Sequence, residues 1–295
     1  MDCVIETTGL TKRFPGKLAV DKVDLHVKRG DIYGLIGKNG AGKTTAMKMI
    51  LGISEPTAGS VKLFGSEDLG AARKRIGSLI EAPGIYKNCS ARENMRRFAL
   101  LSGGADKIDE LLRFVGLTDV GDRKAGTFSL GMKQRLGIAI ALLGDPELLI
   151  LDEPINGLDP AGIKEIRDMI LSLNREKGVT FLISSHLLDE LGKIATTYGI
   201  INNGVLISEA SAEEIKEQCA LGLRITADDP AKTARLLAEN GYAECKMNGN
   251  NILIAADADK AADINELLVK AGVKISELTM QNNGFEDYFI QRLGH

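Results

Sequence analysis

Apolar residues along this chain follow two rhythms, and the switches between them mark its elements. Near the start, Val4-Ile5-Glu6 and Leu25-His26-Val27 alternate with the period of two expected of half-buried strands. Asp31-Ile32-Tyr33-Gly34-Leu35-Ile36 is instead a nearly unbroken apolar run that ends at Gly37, the pattern of a strand covered on both faces. A helix is predicted from about Lys43 to Leu51, stopped by Gly52 and Pro56. From roughly Ala91 to Leu143 the period is helical: Ile108, Leu111, Leu112 and Val115 share a face, and Gly116 closes that segment. Two more apolar runs, Leu148-Leu149-Ile150-Leu151 before Asp152 and Thr180-Phe181-Leu182-Ile183 before Ser184, read as buried parallel strands. Strands alternating with helices predict an α/β domain with a mainly parallel sheet.

The pattern changes near residue 210. Ser211 and Glu214 have the spacing of a capping box at the start of a short helix that ends near Gln218. A strand (223–226), a helix (230–240), two strands around Gly249, a helix (258–271), a strand (273–278) and a last helix from Phe285 are predicted after it. That βαββαβ order suits a small α+β, ferredoxin-like module. The expected organisation is a large domain over residues 1–218 and an accessory domain over 219–295. Beyond the two-fold βαβ echo there is no internal repeat and no low-complexity tract.

The first candidate chemistry lies where the buried strand gives way to the first helix. Gly37-Lys38-Asn39-Gly40-Ala41-Gly42-Lys43-Thr44 matches G-x-x-x-x-G-K-[ST] in its required strand-to-helix setting. The glycines let the backbone wrap so that successive N–H groups face phosphate oxygens, and the helix start adds partial positive charge. Lys43 would reach the β- and γ-phosphates of ATP, the Thr44 hydroxyl would ligate Mg²⁺, and Thr45 continues the loop into the helix. The strand ending Leu151-Asp152-Glu153 supplies a second half: Asp152 near Mg²⁺ and Glu153 as general base for an attacking water. An acidic pair closing a strand is by itself more often a solvated turn, but a phosphate loop elsewhere in the chain reverses that reading.

Further elements, in order, carry a resemblance. Phe128-Ser129-Leu130-Gly131-Met132-Lys133-Gln134 resembles the Leu-Ser-Gly-Gly-Gln signature of ABC-type ATPases, Gly157-Leu158-Asp159 follows Glu153 as their D-loop does, and Ser184-Ser185-His186 stands where they keep a switch histidine. Phe14 lies upstream where an aromatic ring stacks on adenine; a core phenylalanine is the plain alternative. The resemblance covers roughly the first 215 residues. It implies a P-loop NTPase core with an antiparallel β subdomain and a helical subdomain. It also implies His186 at the γ-phosphate, and Ser129, Gly131 and Asp159 acting in trans across a head-to-tail homodimer. Ser129 can be a helix N-cap as well, and the two roles are compatible.

Two departures narrow the resemblance. Where the family commonly has a glutamine after Arg75-Ile76-Gly77-Ser78-Leu79-Ile80, this chain has Glu81, an acceptable hard-oxygen ligand for Mg²⁺ that lacks an amide's donor. Leu130 and Met132 replace Gly and Gln of the signature. Together these resemble subunits of bacitracin-type and lantibiotic-immunity exporters, which implies an ATPase powering export of peptide antibiotics or bacteriocins through separate integral membrane permease subunits.

Composition then sets bounds. The chain has 295 residues, 44% hydrophobic and 26% charged, with a net charge of −3, so no global basic field invites nucleic acid. Cys3, Cys89, Cys219 and Cys245 are too scattered for a C-x-x-C motif, which favours a reducing cytosol over a disulfide framework. No basic region followed by an apolar run opens the chain, and the most apolar stretch, residues 136–151, is broken by Asp145, Pro146 and Glu147. The expected location is therefore cytoplasmic, peripheral on the inner face of the membrane, with another chain crossing it. A soluble ATPase of the same type, acting on ribosomes or nucleic acid, is the competing reading. Such proteins usually carry paired ATPase domains or long coiled-coil or zinc insertions, and this chain has one P-loop and no heptad run.

Overall fold

The computed structural model describes residues 2–218, 222–242, 245–255, 260–281 and 289. The chain divides into two compact units, residues 1–212 and 213–295. Of the final helix expected from Phe285, the described residues contain Phe289, which is helical and buried.

The first unit opens with β1 (Cys3–Phe14), β2 (Lys17–Val23) and β3 (His26–Lys28), followed by β4 (Ile32–Ile36), α1 (Lys43–Ile50), β5 (Ala58–Leu63), α2 (Leu69–Arg73) and β6 (Ile76–Leu79). Next come α3 (Ala91–Ser102), α4 (Ile108–Phe114) and α5 (Leu130–Ala141), then β7 (Leu148–Asp152), α6 (Pro160–Lys177), β8 (Thr180–Ser185), α7 (Leu188–Gly192), β9 (Thr197–Asn202) and β10 (Val205–Ser211). The long helical stretch expected between Ala91 and Leu143 is thus three helices. Gly103 and Gly104, both at positive φ, and Gly116 separate them. An unrecognised capping box starts α3: Glu93 N–H donates to Ser90 Oγ at 3.2 Å, and Ser90 N–H donates to Glu93 Oε2 at 2.6 Å.

Six strands form one sheet in the order β10-β9-β4-β8-β7-β6, parallel throughout except for the β10–β9 pair. β4, β7 and β8 are buried at every position, which explains their unbroken apolar runs. In a second, antiparallel sheet β1 pairs with β2, β3 and β5. One core cluster joins both sheets through α1, from Ile5, Val27 and Leu63 by way of Met47 and Ile50 to Leu35, Ile150 and Leu182. Helix α1 is therefore clamped between the two sheets.

α8 (Ala212–Gln218) carries the chain into the second unit, which contains β11 (Gly222–Ala227), α9 (Pro230–Glu239), β12 (Cys245–Asn248), β13 (Asn251–Ala255), α10 (Ala261–Lys270) and β14 (Ile275–Gln281). Ser211 is the last residue of β10, directly before α8. The last strand runs two to three residues later than the apolar pattern suggested, because Val273 closes the preceding turn onto Leu268. The four strands lie in the order β12-β13-β11-β14, all antiparallel, as in interleaved βαβ units. Leu223, Ile225, Leu237, Ile252, Ile254, Ile264 and Leu268 make a core separate from the first.

Candidate nucleotide site at the carboxyl edge of the parallel sheet

Neighbouring parallel strands end together, and three of them end here. β4 stops at Ile36, β8 at Ser185 and β7 at Asp152, with Ile36 beside Ser185 and Asp152 beside Ser184 in the ladder. A ligand crevice outside the carboxyl ends of the strands is the general expectation for such sheets.

The loop 37–44 leaves β4 at once. Gly37 is required by space, since a Cβ there would lie 2.3 Å from Ile201 O. Gly42 is required by conformation, with φ +110 at the N-cap of α1 and no side chain capping the helix. The first N–H groups of α1 are thus left for an incoming acceptor. Lys38, Asn39 and Gly40 are exposed, Ala41 is buried and Thr45 is half-buried. Ala41 N–H turns back on Lys38 O at 3.1 Å, and Ala41 O accepts from Gly204 N–H at 2.9 Å, which ties the loop to the β9–β10 turn. Lys43 is 5% exposed, and its Nζ donates to Gly37 O at 2.6 Å, curling over the loop it follows.

From Lys43 a continuous polar chain crosses the site. Lys43 Nζ stands 3.2 Å from Glu153 Oε1, and Glu153 Oε2 stands 2.8 Å from His186 Nδ1, a contact that puts the proton on Nδ1 when Glu153 is ionised. Thr44 Oγ1 donates to Asp152 Oδ2 at 2.7 Å. Ser184 Oγ donates to Asp152 Oδ1 at 2.5 Å and accepts from Glu153 N–H at 2.9 Å. Ser184 is fully buried, and Glu153 has φ +49, a region in which a non-glycine residue needs local support. One hydroxyl thus orients the Asp152 carboxylate toward Thr44 and holds the strained Glu153 backbone.

Lys43, Thr44, Asp152, Glu153 and His186, all candidates from the sequence, converge in this network. Ser184 was not singled out as a site residue; its only sequence signal was the register that sets it opposite Asp152. Other candidates occupy different places. Phe14 ends β1, 44% exposed, with Lys12 Nζ 5.3 Å from its ring centroid. Glu81 Oε1 lies 2.6 Å from Lys48 Nζ on α1. Ser129 caps α5 by accepting from Met132 N–H at 3.3 Å, and Asp159 caps α6 by accepting from Gly162 N–H at 3.1 Å. These two caps are neighbours: a Cβ on Gly131 would lie 3.7 Å from Leu158 Cδ2, and one on Gly157 would lie 3.1 Å from Leu130 Cδ2.

A phosphate loop, a carboxylate pair closing the adjacent strand but one, and a polar residue closing the strand between them define a P-loop NTPase. The family profile of ABC transporters matches residues 20–156. The chain is 41% identical to the bacitracin transport ATP-binding protein BcrA of Bacillus licheniformis over all of its own length and 98% of that protein's. It is 44% identical to the lantibiotic transport ATP-binding protein SrtF of Streptococcus pyogenes, over 70% of this chain and 90% of the relative. Among solved structures, the ATP-binding subunit of an ABC transporter superposes with TM-score 0.65 at 29% identity, covering 73% of this chain and 92% of that one. The chain belongs to the ABC transporter family and is an ATP-binding subunit with ATPase activity.

Proposed function

We propose that this chain powers a membrane exporter of peptide antibiotics of the bacitracin or lantibiotic kind, working as a homodimer bound to separate permease subunits on the cytoplasmic face of the membrane. Among the described residues no helix is long and apolar enough to cross a membrane, so a partner would supply the pathway. The substrate class rests on the transport functions named for the relatives in Bacillus licheniformis and Streptococcus pyogenes.

The hydrolytic reading rests on one observation, the junction of Lys43 with Glu153 and His186 at the mouth of the phosphate loop. Loop N–H groups and the Lys43 ammonium would hold the β- and γ-phosphates, and the Phe14 ring would stack on adenine. Thr44 and Asp152 offer hard oxygens 2.7 Å apart, a fit for Mg²⁺ that binds few carboxylates and completes its shell with phosphate and water. Thr44 and Asp152 would hold the ion, which would supply neutralisation of the negative charge that develops on phosphoryl transfer. The Glu153 carboxylate would take a proton from the attacking water, oriented by His186 and by the Ser184 bond to its backbone. ATP phosphates would displace Glu153 from Lys43, so the base becomes available as the site fills. Ser129, Gly131 and Asp159 of a second copy would close the far wall, with the helix start behind Ser129 facing the γ-phosphate.

Glu153→Gln tests this reading. ATP affinity should stay within about threefold while steady-state turnover falls by at least about 10²-fold. Size-exclusion chromatography with ATP and Mg²⁺ should then show a stable dimer. Undiminished turnover would remove Glu153 from the reaction.

A further inference from the structure

Glu81 belongs to the turn that leaves β6, and two features set it apart. Its φ is +60, a region that side-chain-bearing residues seldom adopt, and its Oε1 lies 2.6 Å from Lys48 Nζ. Lys48 sits on α1 four residues beyond Thr44, so the two residues share a helix face, one turn apart. The Lys48 carbonyl accepts from the N–H groups of Ile53 and Ser54 at 2.9 and 3.1 Å, which fixes the helix end from which the side chain reaches. The Lys48 side chain is 31% exposed and that of Glu81 65%, so solvent reaches the pair and it can exchange partners.

We propose that Lys48 is a positioning residue for Glu81: their ion pair parks the carboxylate at the α1 face that also carries Thr44, and a divalent cation held by the Thr44 and Asp152 oxygens competes with Lys48 for it. The proposal rests on the reading of Thr44 and Asp152 as the metal-binding pair. The choice of acid over amide follows from it. A carboxylate binds an ammonium and a divalent cation alike, whereas a neutral amide holds neither strongly. The turn after β6 thus has two anchor points on one face of α1, and the charge near Thr44 selects between them.

The test is Mn²⁺ binding by the full chain in the presence of ADP, with free Mn²⁺ read by electron paramagnetic resonance and no turnover involved. Lys48→Gln removes the competitor and should tighten Mn²⁺ about three- to fivefold, the range of an exposed ion pair. In the Glu81→Gln background the same change should have less than about a twofold effect. Lys48 also repels the cation directly, but that repulsion acts in both backgrounds. Equal shifts in the two backgrounds would therefore overturn the proposal, as would no shift in Lys48→Gln alone. Hydrogen exchange adds a second readout: Mn²⁺ and ADP should change protection over residues 80–85 in the wild type, and Lys48→Gln should reproduce part of that change without the metal. Failure of the wild type to bind Mn²⁺ with ADP would overturn the metal-site reading and the parking with it. Binding with background-independent shifts would overturn the parking alone.

Discussion

The two units contain sheets built on opposite plans, one of six strands in the first and one of four in the second. In the first, β4, β8 and β7 run parallel side by side, so their carboxyl ends, and the residues that follow them, gather on one edge. Gly37, His186 and Glu153 are each the first residue past such an end. In the second, β12, β13, β11 and β14 are antiparallel, and successive strands deliver their ends to opposite edges. Polar contacts there run between neighbouring strands, Arg224 Nη2 to Glu277 Oε1 at 2.5 Å and Thr226 Oγ1 to Asn251 Oδ1 at 2.8 Å, and staple the sheet instead of converging on a crevice. Parallel order concentrates chemistry at one end of a sheet; antiparallel order spreads polar groups over its face.

The largest expected effect separates the units. Ile225 is fully buried on β11, the strand between β13 and β14, and packs in a core of its own. Ile225→Ala should destabilise the second unit by about 2–5 kcal/mol. Hydrogen exchange over residues 222–281 would register this loss, while ATP turnover under native conditions should remain within about twofold. A parallel fall in turnover would break the contrast and assign the second unit a part in hydrolysis.

An intermediate effect is expected inside the site. Ser184→Ala removes the hydroxyl shared by Asp152 and the Glu153 backbone, leaving a buried carboxylate oxygen and a strained N–H less well held. Turnover should fall about tenfold, some 1.4 kcal/mol of barrier, and the Mg²⁺ concentration for half-maximal activity should rise. Turnover unchanged at limiting Mg²⁺ would show that the register alone orients Asp152.

Ser184 also shows what could be read in the sequence. The phosphate loop and the Asp152-Glu153 pair were legible because each joins a distinctive residue pattern to an apolar strand. The three central strands of the parallel sheet were legible because burial on both faces leaves unbroken apolar runs. A buried serine in a Ser-Ser-His run has no such mark; its place opposite Asp152 comes from pairing across 32 positions. The Lys48–Glu81 pair was hidden for the same reason, because the contact depends on how β6 and α1 are placed in the tertiary fold. The β1–β2 hairpin was blurred by the irregular register between Leu10 and Arg13, which breaks the alternation along β1.

The smallest effect lies at the opposite edge of the same parallel sheet. Before β7, Glu147 accepts from Arg75 Nε and Nη2 at 2.6 and 2.7 Å and from Arg29 Nη1 at 2.9 Å, while the Arg75 guanidinium stands 3.8 Å from the Phe64 ring centroid. Arg75, with Arg29 behind it, holds the Glu147 carboxyl down at about 2, against 4.5 unperturbed. Because the folded state lowers this value, the stabilisation is fully present above about pH 4.5 and is lost as pH falls toward about 2. The Glu147 side chain is 42% exposed, so solvent screening limits the contribution to about 1 kcal/mol. Glu147→Gln should therefore lower stability at pH 7 by about 1 kcal/mol in urea titrations, with the difference from wild type shrinking below pH 4.5. Turnover at pH 7 should stay unchanged, since Glu147 precedes β7, at the end opposite Asp152. A loss of activity without a loss of stability would mean that the edge opposite the phosphates also takes part in function.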